Sequence, residues 1–150
     1  AGLPQNKVDA MHALTKIMKI GWGGRNPAYR QIFTTMFVPE ANAEFVRSFN
    51  EMERKSTSPE IAAQFWIEIG NIDVLDLLPE VRVPTLVIHA LNDKMAHFEG
   101  GRRIAALIPG ARFVSVDSMN HLLQENEPAW PRFLAEVHRF IGAEHHRNAV

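Results

Sequence analysis

The chain has 150 residues, 46% of them hydrophobic and 22% charged, with a net charge of −1 and no cysteine. That is one domain on length alone, with enough apolar residues for a core. Scattered Lys and Arg argue against a nucleic-acid surface, the missing cysteine excludes a disulfide framework and a thiolate nucleophile, and the absence of a signal core or a run of ~20 apolar residues points to a cytoplasmic protein with no membrane segment.

The first half reads as helices. Between Val8 and Ile20, apolar residues fall at Ala10, Met11, Leu14, Ile17 and Met18, a helical stripe. Gly21-Trp22-Gly23-Gly24 is expected to end it, since glycine tolerates the backbone angles of a helix stop. Asn26-Pro27 offers a cap followed by a first-turn proline for a helix running toward Phe37, closed by Pro39. Ala41 to Arg54 repeats the pattern with Phe45, Val46 and Phe49. Ser58-Pro59 starts another helix, with Ile61, Ala62, Phe65, Trp66 and Ile69 read as one core-packing face.

After Gly70 the character changes. An amphipathic turn over 71–79 leads to Val83. Thr85 to Ile88 is β-branched and apolar on both faces, as in a parallel strand covered on both sides. Phe98 to Ile108 reads as a helix stopped by Pro109-Gly110, and Arg112 to Asp117 as a second strand. Asn126-Glu127-Pro128 is read as the cap of a last helix carrying Trp130, Phe133, Leu134, Val137, Phe140 and Ile141. The expected organisation is a helical region over 1–70, a β-α-β-α segment over 71–143 and a polar tail over 144–150. Two parallel strands make a poor sheet, because their outer edges stay unpaired. The missing strands are expected either in a further N-terminal part or on a partner chain.

Asp93 sits just past the first strand end, and His121 at the matching point after the second. In open α/β sheets, ligands bind beyond the carboxyl ends of the strands. A carboxylate there can fix the tautomer of a histidine that shuttles protons, the acid and base of a Ser-His-Asp arrangement. The competing reading is an Asp that orders its own loop and a histidine bonded to backbone. His97 is a candidate for the site mouth and His89 for a structural role. His145-His146 are adjacent rather than at a metal-ligand spacing, so no metal site is expected. The serines, at 48, 56, 58, 115 and 118, include none on a Gly-flanked strand-to-helix turn, so the nucleophile is missing.

The pieces Val83-Pro84-Thr85-Leu86-Val87-Ile88-His89-Ala90, Asp93, Leu107-Ile108-Pro109-Gly110-Ala111, Asn120-His121 and Glu127-Pro128 together make Val83 to Ile141 resemble the C-terminal third of an α/β-hydrolase. The resemblance implies an α/β fold in which Asp93 matches the triad acid and His121 the triad base, with residues 8–69 similar to the helical cap and no cofactor needed. The chain departs from the family with Asn120 where glycine usually precedes the histidine, and with Met95-Ala96-His97 where Val-Pro often follows the acid. Asn before the histidine and Glu-Pro-Ala-Trp after it resemble hydrolase-like modules joined to cyclase or helix-turn-helix regulator domains. Two expectations follow. One is a truncated ester or amide hydrolase that works only with its N-terminal half. The other is a non-catalytic ligand-binding or regulatory module, self-associating as a homodimer, with a small apolar ligand in its pocket.

Overall fold

The computed structural model describes residues 5–148. Helices α1 (Gln5–Gly21), α2 (Ala28–Phe37), α3 (Ala43–Ser56) and α4 (Pro59–Asn71) come first. A 3-10 turn (Leu75–Glu80), β1 (Leu86–Ala90), α5 (Phe98–Leu107), β2 (Arg112–Val116) and α6 (Trp130–Asn148) follow. The chain divides into two units, residues 1–35 with 42–73, and residues 36–41 with 74–150. The end of α2 and the short connection after it therefore cluster with the sheet rather than with the other early helices. The polar tail expected over 144–150 starts within α6, and its side chains lie outside the described residues.

In the helical unit, caps follow the sequence signals. Asn26 Oδ1 accepts from Ala28 N–H at 3.0 Å, Asn42 Oδ1 from Phe45 N–H at 2.9 Å and Ser58 Oγ from Ile61 N–H at 3.3 Å. Met18, Trp22, Phe33, Ala62 and Ala63 form the core, with Leu14, Ile17 and Trp66 against it. Phe33 sits between the two tryptophans, with ring centroids 5.5 Å from Trp22 and 5.4 Å from Trp66, both edge-on.

Two expectations fail here. The face of α4 that packs on α1 is Ala62, Ala63, Trp66 and Gly70, where a Cβ on Gly70 would lie 2.5 Å from the Met11 sulfur. Small residues let two helices approach closely. Ile61, Phe65 and Ile69, one turn apart on the adjoining stripe, are turned outward and remain 61%, 65% and 41% exposed. The second concerns the reason for the end of α1, which falls at Gly21 as expected. Gly110 is the one described glycine with positive φ, at 74°, where it follows α5. The glycines after α1 make no left-handed turn. The carbonyls there are instead satisfied by a buried Arg30, its guanidinium donating to the carbonyls of Gly21 (3.2 Å), Trp22 (2.5 Å), Gly24 (2.8 Å) and Asn50 (3.1 Å). Gly21 is needed for a different reason, since a Cβ there would fall 2.1 Å from the Tyr29 ring. The buried face of α3 is polar. Asn50 and Glu53 point inward, and Thr34 Oγ1 donates to Glu53 Oε2 at 3.0 Å.

In the second unit, β1 and β2 pair in parallel, with Leu86 opposite Arg112 and Ala90 opposite Val116. Side chains alternate across the sheet. His89 and Phe113 meet Phe98 of α5 edge-on, at 5.7 and 5.5 Å. On the other face Ala90 and Val116 pack with Ala129, Ile88 and Leu123, and Arg112 pairs with Glu136 of α6 at 2.8 Å. Helices thus cover both faces, as the apolar run in β1 implied. Its residues Leu86–His89 are nevertheless only half-buried, because among the described residues each strand has a single neighbour and its outer edge is unpaired.

Candidate active site

The parallel register decides which loops meet. Beyond Ala90 and Val116 the pairing continues as Leu91 N–H to Val116 O (2.9 Å) and Asn92 N–H to Ser118 O (3.1 Å). The chain then parts into the two loops that carry Asp93 and His121. His121 Nδ1 lies 2.7 Å from Asp93 Oδ2. The other carboxylate oxygen, Oδ1, accepts from Met95 N–H (2.7 Å) and Ala96 N–H (3.0 Å). Asp93 is thus a loop-ordering carboxylate and a histidine partner at once. The two sequence readings of this residue describe its two oxygens.

The Asp93 side chain is 3% exposed and that of His121 is 35% exposed. Burial works to raise the Asp93 pKa. The bonds from Ala96 N–H, His121 and Met95 N–H, with the charge of the imidazole, outweigh it and hold the carboxyl below its ordinary value. An ionised carboxylate only accepts, so Nδ1 of His121 must carry the proton and donate. In the neutral ring Nε2 is then left bare, the state required of a general base.

His121 is held from a second side. Its backbone N–H donates to Phe37 O at 2.8 Å, and the Phe37 ring meets the imidazole edge-on at 5.5 Å. Phe37 belongs to the stretch Met36–Ala41, which clusters with the sheet unit and in which Val38 is 1% exposed. Below the histidine lies a polar cluster. Glu127 Oε2 accepts from Ser118 Oγ (2.5 Å), and Glu127 Oε1 from Asn120 Nδ2 (2.8 Å) and Gln124 N–H (2.5 Å). The expected cap role of Asn126-Glu127-Pro128 is therefore not what Glu127 does. Helix α6 opens at Trp130, and the Glu127 carboxylate turns inward because the buried donors of the histidine loop need an acceptor.

Phe37, Ser118 and Glu127 were not singled out by sequence reasoning as part of the site. The signal that existed was Asn120 in place of glycine together with Glu127-Pro128. His97 stands at the N-cap of α5 without a side-chain capping bond. It lines a hollow of about 420 Å³ beside Asp93, with Leu91, Lys94 and Phe98. His89 packs against Phe98 and over Gly101, with Nδ1 2.9 Å from Ala90 O, on the α5 face of the sheet. Three of the five serine hydroxyls are engaged elsewhere: Ser56 donates to Glu53 O, Ser58 caps α4 and Ser118 is bound to Glu127. Among the described residues no group of three His, Asp or Glu side chains could hold a metal ion, and no helix is long and apolar enough to cross a membrane.

No family model matches the chain. Solved structures do. An esterase from Exiguobacterium antarcticum superposes with a TM-score of 0.73 at 21% identity, covering 89% of this chain and 48% of that one. A hydrolase from Oleispira antarctica gives 0.71 at 17%, covering 91% and 48%, and a hydrolase from Pseudomonas aeruginosa PA01 gives 0.69 at 21%, covering 95% and 52%. The chain spans about half the length of these proteins. Its fold is that of one portion of an α/β-hydrolase-type protein, mostly helical with a short parallel sheet.

Proposed function

We propose, from a fold that is one portion of an α/β-hydrolase, that this chain carries the cap and the acid–histidine half of an ester or amide hydrolase. Asp93 orients His121 and stabilises its cation. His121 Nε2 takes the proton of a serine nucleophile supplied by polypeptide outside these residues, then returns it to the leaving group. No cofactor enters this chemistry. The observation that carries the reading is the 2.7 Å bond between His121 Nδ1 and a buried Asp93 whose remaining oxygen is filled by backbone donors.

The test is to express the chain joined to whatever coding sequence lies immediately upstream in its gene, and to assay short p-nitrophenyl esters. The expected result is a Gly-x-Ser-x-Gly turn in the upstream segment and turnover only in the joined form. His121→Ala and Asp93→Asn then each reduce turnover by roughly 10⁴-fold. Upstream sequence without such a turn, or full activity in His121→Ala, would overturn the reading.

A second reading is a self-associating, non-catalytic module that holds a small apolar ligand. The exposed Ile61–Phe65–Ile69 stripe and the open outer edges of β1 and β2 favour it. Light scattering on the 150-residue chain separates the two. A discrete dimer that loses its mass on Phe65→Glu supports the module, and a monomer with both edges open supports the half-enzyme.

A further inference from the structure

Asn120 is 1% exposed, and its backbone N–H and both polar atoms of its side chain are used. Its backbone N–H donates to Ser118 Oγ at 2.9 Å, its Nδ2 to Glu127 Oε1 at 2.8 Å, and its Oδ1 accepts from Glu40 N–H at 3.0 Å. Ser118, 5% exposed, accepts from the Asn120 N–H and donates its own hydroxyl to Glu127 Oε2. One carboxylate thus gathers three donors. Two of them come from the turn immediately before His121, and the third, Gln124 N–H, from the turn just after it. Hydrogen bonds to an ionised acceptor are the strong ones, and inside the protein such a network is stiff only when every member is satisfied.

We propose that Glu127 is the positioning residue of His121, acting through Ser118 and Asn120. The imidazole is aimed by its backbone as much as by Asp93. Residue 120 is locked on both sides, the His121 N–H is tied to Phe37 O, and from that backbone the ring reaches Asp93 Oδ2. Without Glu127, Ser118 and Asn120 lose their shared acceptor. The turn relaxes, and the Asp93–His121 bond becomes one arrangement among several. This inference rests on the reading of Asp93 and His121 as a working pair.

The test is nuclear magnetic resonance on the 150-residue chain, following the His121 Nδ1–H proton and the ring ¹⁵N shifts that report the tautomer. In the parent protein Nδ1–H is expected as a slowly exchanging signal, abolished by Asp93→Asn. Glu127→Ala is expected to speed its exchange at least about tenfold and to mix the tautomers. Glu127→Gln, whose amide oxygen still accepts from Asn120 and Gln124, restores most of the signal. If Glu127→Ala does not fold, Ser118→Ala decides, since it removes a single branch of the network, and the same direction of change is expected. A folded Glu127→Ala, or in its absence a Ser118→Ala, with the parent's exchange and tautomer overturns the proposal. A signal that survives Asp93→Asn sinks instead the pair on which it rests.

Discussion

Glu53 is a buried carboxyl group of the helical unit whose ionisation burial opposes, and its removal is expected to stabilise the protein in a pH-dependent way. The residue is 6% exposed. Desolvation raises its pKa from 4.5 to about 7, against the opposing hydrogen bond from Thr34 and the nearby charge of Arg30. Between those values the folded state holds a proton that the unfolded chain has released, so stability falls as pH rises through the window. A tenfold change in proton affinity corresponds to ~1.4 kcal/mol, which places the full penalty at about 3 kcal/mol above pH 7. Glu53→Gln keeps the acceptor for Thr34 and mimics the protonated form. It is expected to match the parent within ~0.5 kcal/mol near pH 4.5 and to exceed it by up to about 3 kcal/mol near pH 8. The assay is urea denaturation of both proteins at the two pH values, reading the difference, so that groups titrating in both proteins cancel. A difference that is the same at both pH values, or a variant less stable at the higher one, would refute the desolvation argument.

Arg30→Met removes the guanidinium donors to the carbonyls of Gly21, Trp22, Gly24 and Asn50, and leaves Glu53 without its nearby cation. A loss of roughly 3 kcal/mol or more is expected in the same denaturation assay, and a smaller loss when Glu53→Gln is already present. Gly101→Ala places a Cβ 2.4 Å from His89 Cδ2, so α5 must lift or His89 must leave its place against Phe98. The expected cost is ~1–3 kcal/mol by thermal melting, relieved when His89→Ala is combined with it. For Asp93 the pKa is lowered on folding, so its contribution is present above the ordinary value of 3.8 and is lost as pH falls below it. The stability advantage of the parent over Asp93→Asn should therefore shrink from about pH 4 downward, and an advantage that stays constant or grows in acid would show that folding does not lower the Asp93 pKa.

The order of elements was legible because local signals and tertiary demands agree. Asn26 and Ser58 accept from the first turns of the helices that follow them. Pro109-Gly110 makes the turn just past the end of α5, with Gly110 left-handed, and β1 and β2 fall where β-branched runs lie. The meeting of Asp93 and His121 could be expected because each follows a strand end, and in a parallel pair both ends lie on the same side. Legibility stopped wherever a residue's role depends on a partner distant in sequence. Ile61, Phe65 and Ile69 have the spacing of a core face, yet the adjoining stripe of Ala62, Ala63 and Gly70 wins because it lets α1 come closer. Arg30 looks like a surface cation and ends up buried, because three carbonyls at the end of α1 and Asn50 O converge on it.

Composition, periodicity and turn residues by themselves determined a cysteine-free chain of helices followed by a β-α-β-α segment, with Asp93 and His121 at matching strand ends. Those are properties of short windows, set by backbone geometry and by which side chains tolerate it. Only the tertiary structure decided that Asp93 divides its two oxygens between its own loop and the histidine. It alone decided that Phe37, far earlier in the chain, holds the His121 backbone, and that Glu127 turns inward instead of capping α6. The reason is common to all three. A buried donor must find an acceptor somewhere, and which one it finds is settled by packing across the fold rather than by neighbours in sequence.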